Sequence, residues 1–140
     1  MNNGLDSMTT KNLRSAHLEL AHDAGAPRAA RHFVIGLLER WGLPADAVER
    51  CQLLVSELVS NAVLHGHEPI ELAITEIDST RGIYRVEVCN GGEKPLALRR
   101  ARATDVSGRG LRLVDKLSRG WGSYTVDGTT RVWFELHTAS

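Results

Sequence analysis

The chain has 140 residues, 42% hydrophobic and 24% charged, with 17 basic against 17 acidic groups and a formal net charge of +0, the composition of one ordinary globular domain. A chain of this length buries roughly two-thirds of its unfolded surface, so folding requires neither a metal nor a disulfide. The balanced charge removes the simplest case for binding a phosphate backbone, and no direct nucleic-acid partner is expected.

No run of about 18 apolar residues exists, so no membrane helix is predicted. The polar start MNNGLDSMTTKN lacks the apolar stretch of a secretory signal, and the expected location is cytoplasmic. Residues 1–12 read as a disordered tail and 13–140 as a single domain. Cys51 and Cys89 each sit in an apolar stretch, where a free thiol acts as a small core hydrophobe, so no disulfide is expected.

In chain order, SAHLEL (15–20) alternates apolar and polar residues and reads as a strand with one buried face. From Pro27, the residues Ala30, Phe33, Val34, Leu37, Leu38 and Trp41 recur at spacings of three and four, a helix that stops at Gly42. Pro44 opens a second helix that ends at Gly66. Strands follow at 70–77 and 83–89, then a closing pair at 121–126 and 131–137 around the turn Asp127-Gly128. The stretch 91–108 has neither period and carries Lys94, Arg99, Arg100 and Arg102, as expected of a binding loop or lid. After it, GRGLRLVDKLSRG reads as a third helix. This order predicts an α+β two-layer sandwich, a mostly antiparallel mixed sheet of about five strands with three helices on one face.

The second helix carries the chemistry. With Cys51 at zero and about 100° per residue, Leu54, Val55, Leu58 and Ala62 form the core face, and Gln52, Ser56 and Ser60 fall on the expected solvent face. Glu57, Asn61 and His65, four apart, make a polar stripe at about 240° to 320°, with Leu53 and Leu64 on its far side. A polar stripe between apolar flanks is costly to bury unless a ligand or the protein itself satisfies it. Gly108-Arg109-Gly110-Leu111 opens the third helix, where backbone N–H groups and the helix dipole could hold a phosphate, or where glycines merely cap the helix. Asn90-Gly91-Gly92 follows a strand directly and is either a tight turn or a place of close backbone approach to a ligand. His65 and His67 alone are too few for a zinc site.

Taken in order, Glu57-LVS-Asn61-AVL-His65-Gly66, Asn90-Gly91-Gly92, Gly108-Arg109-Gly110-Leu111 and Gly128-TT-RVWFEL resemble the nucleotide-binding boxes of the GHKL (Bergerat-fold) ATP-binding superfamily. Within it, the chain looks like the stand-alone bacterial anti-sigma-factor serine/threonine kinases. The resemblance implies ATP and Mg²⁺ as cofactors, with Asn61 on the metal and Glu57 as the general base that activates the acceptor hydroxyl. It places His65, Gly108, Arg109, Gly110 and Leu111 about the phosphates, with 91–108 as the ATP lid. Asn90, Gly92 and either Thr129 or Thr130 would lie toward the adenine. The implied partners are a sigma factor and a STAS-domain anti-sigma antagonist, and a homodimer is implied as well.

One position departs from the family pattern. Asn90 stands where an Asp usually accepts the adenine amino group, and an amide keeps one acceptor while losing the charge and adding two donors. The expected function is an ATP-dependent protein kinase and anti-sigma factor. The alternative is a non-catalytic protein-binding module whose nucleotide site is weakened or lost through Asn90. A free-standing ATPase ranks third, since the sequence offers no transducing domain.

Overall fold

A computed structural model describes residues 13–92 and 118–138. In chain order the elements are β1 (Ser15–Leu20), α1 (Ala26–Arg40), α2 (Ala45–His65), β2 (His67–Asp78), β3 (Ile83–Gly91), β4 (Gly120–Val126) and β5 (Thr129–His137). The five strands form one sheet in the order β1-β2-β3-β5-β4, and every pairing is antiparallel. The α+β class and the sheet read from sequence are therefore observed, with two helices packed on it among the described residues. The expected tail (1–12), most of the lid, the third helix and Gly108, Arg109, Gly110 and Leu111 lie outside the described residues.

Alternation decides which face of the sheet is covered. Ile70, Leu72 and Ile74 of β2, Val86 and Val88 of β3, and Phe134 and Leu136 of β5 are buried and meet the helices. Against them α2 sets Cys51, Leu54, Val55, Leu58, Val59 and Ala62, and α1 adds Ala30, Val34, Leu37 and Leu38. Apart from Val59, these are periodic positions of the two sequence patterns, so amphipathicity placed the core face of both helices. Burial pushes the Cys51 thiol up to about 12, which keeps it an unreactive core group. Cys89 is also buried and free, but its place in β3 puts it on the other face of the sheet, outside the helix-covered core.

The helix pairing corrects one reading of α2. Gln52, Ser56 and Ser60 are half-buried rather than solvent-facing, because α1 packs along that side and Arg31 Nη1 donates to Ser56 Oγ at 2.9 Å. The open side of α2 instead carries Leu53, 40% exposed, and Leu64, 67% exposed. The polar stripe thus has the core on one flank and solvent on the other.

At the end of the sheet away from Asn90, one ion pair closes the domain. The alternation of β2 puts Glu76 on the core face after Ile74, and it is only 4% exposed. Arg14, just ahead of β1, donates to its carboxylate from Nε and Nη2. Arg14 also reaches the Tyr84 hydroxyl at 2.8 Å and, through Nη1, the carbonyl of Trp41 at the end of α1. The guanidinium lies 4.9 Å from the Trp41 ring centroid, and Trp41 stacks on Tyr84. Burial alone would raise the Glu76 carboxyl, but the hydrogen bonds and charge of Arg14 outweigh it and hold it below its ordinary value.

Removing Arg14 leaves a buried carboxylate without its cation, so Arg14→Ala is expected to cost about 1–3 kcal/mol in urea unfolding. Because the native carboxyl is depressed, its contribution is complete above the ordinary glutamate value of about 4.3 and is lost as pH falls through the native one. Urea midpoints of wild type should therefore fall more steeply below about pH 4 than those of Glu76→Gln.

Candidate functional site

Residues that the sequence scatters meet at the other end of the sheet. Asn90 of β3 stands opposite Thr130 of β5 in register, and both are nearly buried, 9% and 3% exposed. Thr130 Oγ1 donates to the Gly92 carbonyl at 2.7 Å, and Gly92 N–H donates to the Gly128 carbonyl at 2.9 Å. Thr129 alternates to the opposite face and donates from Oγ1 to the Val126 carbonyl. That bond closes the two-residue hairpin turn whose left-handed backbone at Asp127 and Gly128 the Asp-Gly pair supplies. Of the two candidate threonines, Thr130 is therefore the one beside Asn90.

The connection from α2 to β2 explains the glycines. Its residues Gly66, His67, Glu68 and Pro69 fold back over the end of β3, and the register shifts between His67 opposite Gly91 and Ile70 opposite Asn90. A side chain on Gly91 would overlap the Glu68 carbonyl, and one on Gly66 would overlap the Asn90 amide. Gly91 is thus not a turn residue. It is a strand residue whose missing Cβ lets one backbone lie on another. The tight-turn reading is corrected at this glycine on that ground, since it did not anticipate the backbone that crosses it.

The same crowding orients Asn90. Its Nδ2 donates to the Gly91 carbonyl at 2.6 Å and packs on Gly66. Among the described residues nothing donates to its Oδ1. The amide therefore shows its acceptor, the half of the group that an aspartate would also offer.

Above this joint runs the stripe of α2. His65 is its last residue and is exposed, Asn61 lies one turn earlier and Glu57 two turns earlier, both half-buried. Neither Glu57 nor Asn61 has a hydrogen-bond or ion-pair partner among the described residues, so they do not satisfy each other. An oxygen of Asn61 suits a hard divalent cation, which takes oxygen ligands and only one or two from protein. Among the described residues no group of three His, Cys, Asp or Glu side chains could hold a metal by itself. No described helix is long and apolar enough to cross a membrane.

A family model described as a histidine kinase-like ATPase domain matches residues 20–136. The chain belongs to that family. The ATPase-like domain also superposes on the structure of the RsbU and RsbW domains of a Mycobacterium tuberculosis protein, with a TM-score of 0.64 and 18% identity over 91% of this chain and 33% of that one. It matches SiaB in the SiaB-SiaC complex from Pseudomonas aeruginosa with a TM-score of 0.58 and 15% identity, over 95% of both chains. It matches the histidine kinase domain of a blue-light activated kinase from Erythrobacter litoralis with a TM-score of 0.52 and 22% identity, over 68% of this chain and 46% of that one. At these identities the likeness is one of fold, here the Bergerat-like fold. The chain spans a third of the mycobacterial structure. A search of curated protein sequences found no match.

Sequence reasoning missed His22, which sits in the loop after β1 and has its Nε2 3.0 Å from the Gly66 carbonyl. No periodicity marks it. The backbone-on-backbone contact at Gly91 has a direct check: Gly91→Ala should lower stability by about 1–3 kcal/mol through overpacking. Gly120→Ala, where a Cβ meets nothing within 4 Å, should stay within about 0.5 kcal/mol by the same unfolding measurement.

Proposed function

We propose that this domain binds ATP with Mg²⁺ and transfers the γ-phosphoryl group to a serine or threonine of a protein partner. The observation that carries the reading is the pair Glu57 and Asn61, four apart on α2, half-buried and without a protein partner among the described residues. The family supports it, since the chain belongs to the histidine kinase-like ATPase domains. Two structural neighbours are the RsbU and RsbW domains of the mycobacterial protein and the SiaB-SiaC complex.

In this reading Asn61 would hold Mg²⁺ through Oδ1, a cation that would supply neutralisation of phosphate charge. Glu57 accepts the proton of the acceptor hydroxyl as its oxygen bonds to the γ-phosphorus. The bond from that phosphorus to the β,γ-bridging oxygen breaks, and ADP leaves. Thr130 and Gly92 wall the adenine end, and Asn90 Oδ1 accepts from the adenine amino group. His65, Gly108, Arg109, Gly110 and Leu111 meet the phosphates. The partner proposed from the resemblance is a STAS-domain anti-sigma antagonist, with a sigma factor held in the unphosphorylated cycle.

Asn90 is the observation that favours the second reading, a protein-binding module without catalysis. A neutral bond in place of a charge-assisted one weakens adenine binding by about 1 kcal/mol, several-fold in affinity. The amide orientation, with one Nδ2 hydrogen given to the Gly91 carbonyl and Oδ1 without a donor among the described residues, supports retention of adenine recognition over its loss.

Mg²⁺-ATP at one hundred times its Kd should stabilise the domain by about 2.7 kcal/mol, a rise of several degrees in Tm. Asn61→Ala should remove the Mg²⁺-dependent part of that rise. Glu57→Ala should keep the rise and lose transfer of labelled γ-phosphate to an antagonist by a factor of at least about 100. No shift with any nucleotide at millimolar concentration sinks the kinase reading and leaves the binding module. A shift without transfer to any STAS-domain antagonist sinks the assignment of that partner.

A further inference from the structure

His22 belongs to none of the nucleotide-binding boxes, yet it touches the joint that holds Asn90. Its loop is built to be rigid. Asp23 Oδ1 accepts the Gly25 N–H at 2.8 Å, Asp23 N–H donates to the Ala21 carbonyl, and Ala26 N–H donates to the Asp23 carbonyl. These bonds present the half-buried His22 ring toward the end of α2, with Nε2 3.0 Å from the Gly66 carbonyl. A carbonyl oxygen only accepts, so Nε2 carries the proton and the ring is the donor.

Gly66 is a poor wall unless something fixes it. Its N–H donates to the Ala62 carbonyl at 2.9 Å, but its other peptide lies beyond the helix and glycine permits wide backbone freedom. The space where a side chain would stand is filled by the Asn90 amide. The Asn90 group is thus held from two sides, by the Gly91 carbonyl that accepts from Nδ2 and by the Gly66 peptide that His22 pins.

We propose that His22 is a positioning residue for base recognition: by donating to the Gly66 carbonyl it locks the Asn90 carboxamide with Oδ1 offered to the ligand. Base selectivity follows from that lock. An aspartate presents an acceptor in either rotamer of its carboxylate, whereas an amide that flips presents a donor. The 6-amino group of adenine needs the acceptor, and the 6-oxo group of guanine would take the donor. In a chain with asparagine here, adenine preference depends on orientation, and orientation depends on His22. The inference rests on the nucleotide reading above.

The test compares wild type, His22→Ala and His22→Gln, whose amide can restore a donor. Two quantities are read: the side-chain amide proton pair of Asn90 by NMR, assigned through Asn90→Ala, and the ratio of dissociation constants for GDP and ADP with Mg²⁺. His22→Ala should shift or broaden the Asn90 pair and lower the preference for ADP by about three- to tenfold, the worth of one neutral hydrogen bond. His22→Gln should recover most of both. A loss confined to Tm would mark His22 as merely structural, so a folded His22→Ala with unchanged Asn90 signals and an unchanged ratio overturns the proposal. If His22→Ala does not fold, His22→Asn withdraws the donor from Gly66 while keeping a polar side chain, and the same two results decide. Wild type that binds neither nucleotide overturns the nucleotide reading and the base-recognition role with it. The Asn90 signals in that case still report whether His22 holds the amide.

Discussion

The site depends on how closely the exit of α2 crosses the end of β3. Gly66 and the Glu68 carbonyl lie on Asn90 and Gly91 at distances that no Cβ would tolerate. This contact bears on two things together. It sets the height of α2, and so of Asn61 and Glu57, above the sheet. It turns the Asn90 amide so that its donor is spent on Gly91. The pairing of β3 with β5 separately brings Thr130 beside the same amide. A larger residue at either glycine would separate the helix that carries Glu57 and Asn61 from the strand that carries Asn90.

The two ends of the domain divide its work. At the far end, Arg14, Glu76, Tyr84 and Trp41 tie the start of β1, the edge of β2, the start of β3 and the exit of α1 into one charged and aromatic cluster. In that cluster the Arg14 guanidinium, the Glu76 carboxylate and the Tyr84 hydroxyl all have partners within the protein. At the candidate site, Glu57, Asn61 and one atom of Asn90 face none among the described residues. The contrast is between an end whose polar groups are satisfied within the protein and one whose half-buried polar groups stay available.

Much of the fold was legible because burial follows period. The 3.6-residue pattern identified α1 and α2 and their core faces, and alternation identified all five strands. The Asp127-Gly128 hairpin was legible for a local reason, that few residue pairs tolerate its backbone. The polar stripe Glu57, Asn61 and His65 was readable from helix geometry alone. Its surroundings were not, because the side taken by α1 is a matter of helix pairing, and so Ser56 was expected in solvent and Leu64 beside a buried flank. Glu76 was visible in principle as a carboxylate at a core position of β2, a pattern that asks for a buried cation without naming Arg14.

By itself the sequence determined the class of fold, the residues of the stripe and the oddity of Asn90, since each is written in local spacing or residue type. Only the tertiary structure decided which threonine stands beside Asn90, why Gly91 has no side chain, which way the amide points and that His22 reaches Gly66. These are contacts between segments far apart in the chain: His22 and Gly66 are 44 residues apart, and Thr130 and Gly92 are 38. Periodicity reports which face of an element is buried. It carries no information about which atoms of two distant segments meet, because that is set by packing after the elements have formed.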